Sequence, residues 1–362
     1  MKPILPLLAA FGVAASVALA QPKGGPPAPP LMECGVHGDI EILCGTRSPE
    51  DLELTPDGKY LIVSQMVSTR GANGKTAPGP EAGLVLFDIA AKKFSKLSIT
   101  EGRDTKWGDP ACPGFIADRM IPHGISLSKR NSGAMQLYVV NHGARESIEM
   151  FELKQSGGSW SLIWRGCAVS IRDFNDVAAL PDGSFIATHP TALRSQGDTS
   201  DLFAGSPSGY VSQWSPVKEE GELPGTHAGY PNGVLAGADG RHMYFNAWTA
   251  KEVHKYDLRQ SKDVGVVKLD FMPDNITWTA NGHMLAAGVK SARGECPSGS
   301  GTPCIQAFEV ADIDPANMTA QSVFDSQGKG GLISGVSVAL QVGNSIYIGA
   351  FQGDRLVKIR SK

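Results

Sequence analysis

Three observations predict an all-β fold, a six-bladed β-propeller. Short β-branched and aromatic runs alternate with turn residues at regular intervals, and helical periodicity is almost absent. One layout recurs six times: a polar pair, an apolar strand, a turn with Gly or Asp, and a second strand. Outer strands fill the intervals, so each repeat reads as a four-stranded meander, and six meanders around an axis make a propeller.

The first twenty residues, "MKPILPLLAAFGVAASVALA", combine a lysine, an apolar stretch and the small-x-small ending Ala18-Leu19-Ala20. That is the pattern of a secretory signal peptide cut before Gln21. The alternative, a retained anchor, needs roughly 20 apolar residues, and the run here is shorter, at about 17. Residues 21–31 begin "QPKGGPPAPP", a Pro/Gly-rich linker unable to pack a core. Residues 32–362 then form one domain, since closed β folds often exceed the usual domain size and no second linker interrupts the chain.

The repeats are "EDLELTPDGKYLIVS" from Glu50, "HGISLSKRNSGAMQLYVVNH" from His123, "NDVAALPDGSFIATH" from Asn175, "NGVLAGADGRHMYFNAW" from Asn232, "DNITWTANGHMLAAG" from Asp274 and "SGVSVALQVGNSIYIGAF" from Ser334. Outer strands between them include "GLVLFDI", "SIEMFEL", "YVSQWSP", "EVHKYDL" and "IQAFEVA". The last repeat stops after "RLVKIRSK" without a fourth strand. "DIEILC", Asp39 to Cys44, is expected to supply it and close the ring. A two-sheet sandwich also has evenly spaced strands, but the recurring polar pair favours the propeller.

In a propeller the first strand of each blade lines the central channel, so the six pairs converge on one end of the axis. Their first members are Glu50, His123, Asn175, Asn232, Asp274 and Ser334; their second members are Asp51, Gly124, Asp176, Gly233, Asn275 and Gly335. Carboxylates and amides dominate, and the glycines let backbone carbonyls approach. So many hard oxygen donors suit calcium. Zinc or copper would call for more His or Cys, and no Cys/His zinc spacing occurs. Turn preference alone places Asn, Asp and Gly at strand entries, but it does not call for Glu50 and His123 in two of the slots.

A formal net charge of −3 without a basic run argues against nucleic acid or an anionic membrane surface as partner. The six cysteines, an even number in an exported chain, point to disulfides. Cys296 and Cys304 bracket "PSGSGTP" and are expected to form a local bridge, while Cys34, Cys44, Cys112 and Cys167 can pair in three ways. There is no GxSxG elbow for a serine hydrolase. His189, His227 and His254 fall in loops or outer strands and are expected at the surface.

"SPEDLELTPDG", "PHGISL", "LYVVNH", "FNDVAALPDG", "NGVLAGADGRHMY", "DNITW" and "GVSVAL" together resemble the paraoxonase or arylesterase family, from about Cys44 to Lys358. The resemblance implies a six-bladed propeller holding two calcium ions (Ca2+) and hydrolysing lactones and esters. It implies a catalytic calcium held by Glu50, Asn175, Asn232, Asp274 and Asn275, and a structural calcium held by Asp51, Asp176 and the backbone carbonyl of Ile125. The family's histidine dyad falls on His123 and His142. Two departures stand out. No cysteine follows Cys304 to tie the C-terminal strand to the N-terminal segment, so Cys44 needs another partner or stays free. "HPTALRSQGDTSDLFAGSPSG" also lacks an expected Asp-His pair.

On this reading the upper calcium polarises an ester or lactone carbonyl, His123 deprotonates water and His142 orients or relays; Glu50 or Asp274 is the alternative base. Trp107, Phe115, Leu193, Leu202 and Phe203 lie in segments that could cover the site, an apolar wall suited to alkyl lactones or aryl esters. A gluconolactonase-like sugar lactonase and a non-enzymatic binding propeller are the alternatives. The Asp51/Asp176 pair and "PHG" speak against the first.

Overall fold

Six antiparallel sheets follow one another along the chain in the computed structural model, which describes residues 30–70, 76–195, 201–290 and 305–361. Blade 1 comprises Pro49–Leu54, Tyr60–Gln65, Gly83–Asp88 and Lys93–Lys96. Blade 2 comprises Pro122–Lys129, Met135–Asn141, Ser147–Ser156 and Ser159–Val169, with Ser98–Glu101 added in parallel at its outer edge. Blade 3 runs from Val177–Ala179 through Phe185–His189 and Tyr210–Ser215 to Lys218–Glu222. Blade 4 is Pro231–Ala236, His242–Ala247, Glu252–Asp257 and Lys262–Lys268, and blade 5 is Met272–Trp278, Met284–Val289, Phe308–Asp314 and Thr319–Asp325. Every predicted repeat is the inner half of a blade.

Blade 6 contains Ser334–Val342, Ser345–Gln352 and Arg355–Arg360, and the N-terminal strand Ile40–Cys44 completes it. Ile40 pairs with Ile359 and Cys44 with Arg355 in antiparallel register. The ring is thus closed by strand pairing, with Gly35–His37 forming a fifth strand outside. Cys44 bonds Cys34 ten residues earlier, which pins that hairpin, and Cys112 bonds Cys167. Cys296 and Cys304, the expected signal peptide and most of the expected linker lie outside the described residues. Among the described residues no helix is long and apolar enough to cross a membrane.

Apolar second strands hold the ring together because blades stack face to face and bury both sides of them. Leu61, Ile62 and Val63 are all fully buried. Leu52, Leu61 and Phe87 of blade 1 pack with Leu43, Val338, Tyr347 and Leu356 of blade 6, so the closure strand belongs to the core. At about 25 cal/mol per Å² of apolar surface removed from water, such contacts dominate the stabilisation.

Proline opens three inner strands, at Pro49, Pro122 and Pro231, and stands second in a fourth, at Pro273. It lacks an N–H, which a strand's first residue can do without. Immediately afterwards each strand slips register, between Pro49 and Asp51, Pro122 and Ile125, Pro231 and Val234, and Pro273 and Ile276. A bulge leaves its extra residue unpaired and re-aims side chains. The polar pairs of blades 2, 4 and 5 occupy the bulges, and in blade 1 Glu50 does, with Asp51 paired to Ser64 just after it.

Candidate metal and hydrolytic site

Glu50, His123, Asn175, Asn232 and Asp274 line one cavity of about 130 Å³, together with Met66, Tyr230, Trp248 and Phe351. Asn275 joins this group by donating from Nδ2 to Glu50 Oε1 at 2.8 Å. Five first members of the pairs, from five blades, therefore meet at one point. Glycines make the approach possible: a Cβ on Gly124 would come within 2.2 Å of Asp176 Oδ1, and one on Gly233 within 2.6 Å of the Asp274 carbonyl oxygen.

Glu50 Oε2, Asn175 Oδ1, Asn232 Oδ1 and Asn275 Oδ1 are buried without a hydrogen-bond partner. Leaving a buried polar atom unsatisfied costs about 1–3 kcal/mol, so four at one cavity call for an occupant with positive charge. Oxygen donors from carboxylate and amides fit calcium. Burial, reinforced by Asp51, Asp274 and Asp176, holds the Glu50 carboxyl well above its ordinary range. A cation would relieve that repulsion.

Asp51 and Asp176 lie beneath, each tied to its own strand and to a neighbour. Asp51 accepts N–H groups from Leu52 and Ile125 at 2.8 Å each, and Asp176 accepts them from Val177 and Val234 at 2.7 Å each. Ile125 thus meets Asp51 through its amide. Burial pushes Asp51 up to about 7, and burial followed by the Asp51 charge raises Asp176 well above its usual value. Glu53, deeper on the same strand, accepts from Leu127 N at 2.8 Å and is pushed by burial up to about 8.

His123 Nδ1 lies 2.8 Å from His142 Nε2, and His123 Nε2 lies 3.5 Å from Glu50 Oε1. Burial and then the neighbouring His142 depress its pKa well below the usual imidazole value, so His123 is neutral near pH 7. A neutral imidazole lining this cavity can accept a proton.

A supporting set was missed. Ser64 Oγ accepts from Asp51 N, Thr188 Oγ1 accepts from Asp176 N and donates to the Asn232 carbonyl, and Asn246 Nδ2 donates to the Asp274 carbonyl. Asn141 Oδ1 accepts from Ile121 N just ahead of the His123 bulge. Each is a polar residue near the end of an otherwise apolar second strand, in "YLIVSQ", "FIATH", "HMYFNA" and "MQLYVVN". That recurrence is visible in the sequence and could have located them.

Several expectations change. Trp107 and Phe115 do not stand free over a site. Trp107 is buried beneath the Arg130 guanidinium, and Phe115 packs on Phe151 and Trp164. The segment carrying them is held along the outer strand of blade 2, with Asp104 N and Asp109 N donating to Arg165 and Cys167 carbonyls. Phe203 does adjoin the cavity wall, 5.7 Å from the Trp248 ring; Leu202 is buried and Leu193 partly exposed. His189 is buried rather than superficial: it lies 2.9 Å from the Asp173 carbonyl and 2.7 Å from Glu220, fixing the residue just ahead of Phe174-Asn175. His254 is half-buried on Phe245, whereas His227 is exposed.

The chain is 26% identical over 314 residues to serum paraoxonase/lactonase 3 of Homo sapiens, covering 83% of this chain and 82% of that protein. It is 25% identical over 254 residues to serum paraoxonase/arylesterase 1 of Homo sapiens, covering 68% and 66%. A solved gluconolactonase from Xanthomonas campestris shares the fold at a TM-score of 0.50 and 14% identity, covering 93% of this chain and 98% of that one. The Arylesterase family profile matches residues 44–356, most of the length, and the chain belongs to that family.

Proposed function

We propose that the protein is an exported, calcium-dependent hydrolase of lactones and aryl esters. The observation that carries the reading is the set of orphaned buried oxygens of Glu50, Asn175, Asn232 and Asn275 beside a neutral histidine in one cavity. Calcium held by these residues and Asp274 would supply a Lewis acid for the ester carbonyl. A second, structural ion is assigned to Asp51, Asp176 and the Ile125 carbonyl, where buried like charges need neutralising.

His123 Nε2 takes a proton from the attacking water as the water oxygen bonds to the carbonyl carbon. The same proton returns to the leaving alkoxide when the ester C–O bond breaks. His142 holds the other side of the His123 ring. Met66, Tyr230, Trp248 and Phe351 form an apolar wall for the alkyl or aryl part of the substrate and exclude bulk water.

A panel of lactones, aryl esters and phosphotriesters, assayed with and without chelator, tests the activity. Because general base catalysis is worth about 10²–10⁴-fold, His123→Gln is expected to lower kcat by roughly that factor and leave calcium affinity nearly intact. If His123→Gln stays near wild-type rate while Glu50→Gln or Asp274→Asn is inactive with calcium bound, the base is a carboxylate. If no substrate of the panel is hydrolysed, the protein is a binding propeller.

A further inference from the structure

The dyad does not end at His142. Glu146 places Oε2 2.8 Å and Oε1 3.0 Å from His142 Nδ1, on the side away from His123. Side-chain exposure rises along the series, from 1% at Glu50 through 14% at His123 and 21% at His142 to 31% at Glu146. The four groups form a continuous line from the buried cavity to solvent.

The turn carrying Glu146 is anchored independently of its carboxylate. Gly143 packs so tightly on the Arg119 carbonyl that a Cβ would lie 1.4 Å from its oxygen, and Gly143 N donates to Asn141 Oδ1 at 3.1 Å. His142 N donates to the Ile121 carbonyl, and Ser170 N donates to the Glu146 carbonyl. Arg145 reaches from the same turn to the Gly114 carbonyl and to Glu149. The backbone at both residues is therefore fixed, and the carboxylate is free to act on the imidazole.

Acid–base bookkeeping gives that contact a direction. A carboxylate only accepts, so His142 Nδ1 carries a proton toward Glu146. In the neutral form of His142 that leaves Nε2 bare, so that it accepts from His123 Nδ1–H. Neutral His123 is left with its bare nitrogen, Nε2, facing Glu50 and the cavity. Reversing the tautomer at His142 reverses both rings and turns a hydrogen toward the site.

We propose that Glu146 is a positioning residue that sets the tautomers of His142 and His123 so that the His123 Nε2 lone pair faces the substrate. The assignment rests on the proposed role of His123 as base. A carboxylate replaced by an amide at the outer end of a triad costs about 10⁴ in kcat where the pair is buried; Glu146 is partly exposed and water can substitute for part of its role. Glu146→Gln is expected to lower kcat for δ-decanolactone about 10–100-fold, with KM changed less than about twofold, and Glu146→Asp should recover part of the loss.

Nitrogen-15 chemical shifts of the two imidazoles, read with and without calcium, test the tautomers apart from turnover. The wild type should show protonated Nδ1 and bare Nε2 on both rings, and Glu146→Gln a mixture. Unchanged tautomers in Glu146→Gln overturn the proposal, whether kcat falls or not. Activity in His123→Gln instead sinks the base assignment, and the nitrogen shifts then judge Glu146 on their own.

Discussion

Asp176 and Asn232 stand on adjacent blades, yet removing them should do different things. Asp176 bridges its own strand to Val234 of the next blade and is proposed to hold the inner ion. Asn232 presents an unpartnered Oδ1 to the cavity. A ligand present at 1,000 times its Kd stabilises the folded state by about 4 kcal/mol, so Asp176→Ala is expected to abolish most of the melting shift that calcium confers. Asn232→Ala should keep most of that shift and lose activity instead. Thermal melts at fixed calcium check this, and equal loss of the shift in both variants would remove the distinction between ions. At this scale the sequence was legible where a residue type was improbable for its slot, as with Glu50 and His123. Glu146 was illegible because a glutamate four residues after a histidine is unremarkable until the turn folds it back.

The strand-entry bulge is the element that converts a repeated dipeptide into a site. Without the slip after Pro49 or Pro273, successive side chains would alternate between faces, and only one of Glu50/Asp51 or of Asp274/Asn275 could face the channel. The repeats, the strand order and the N-terminal closure were all readable from hydrophobic patterning. Trp107 and Phe115 were misread because aromatic residues in a long connection look alike whether they cover a cavity or pack on a blade flank. Closure by Ile40–Cys44 makes a quantitative claim: Ile42 is buried among Ile348, Val357 and Ile359. Ile42→Ala should cost about 2–5 kcal/mol in urea unfolding, while Val36→Ala on the exposed neighbouring strand should stay within about 0.5 kcal/mol. Equal effects would mean that the N-terminal strand is not part of the closed core.

Across the whole molecule, the channel concentrates acidic groups whose charge needs balancing. Asp51 at about 7 and Glu53 at about 8 are raised by burial. In the calcium-free protein they keep protons that the unfolded chain has already released above about pH 4. Their contribution to stability is therefore full below pH 4 and is lost as pH rises toward 7–8. Unfolding midpoints of chelator-treated protein should fall over that window, and saturating calcium should flatten the slope; a calcium-free midpoint that is flat or rising would contradict the charge accounting. The central claim, that the orphaned oxygens at the channel mouth hold the ion needed for hydrolysis, is met most directly by one titration. Calcium is returned to chelator-stripped wild type and Asn232→Ala while lactone hydrolysis is followed. The account predicts no turnover before addition, full recovery in the wild type, and recovery in the variant only at about tenfold or more higher calcium, the effect of losing about 1.4 kcal/mol of binding. Undiminished hydrolysis by the stripped wild type, or identical calcium dependence in the two proteins, would contradict it.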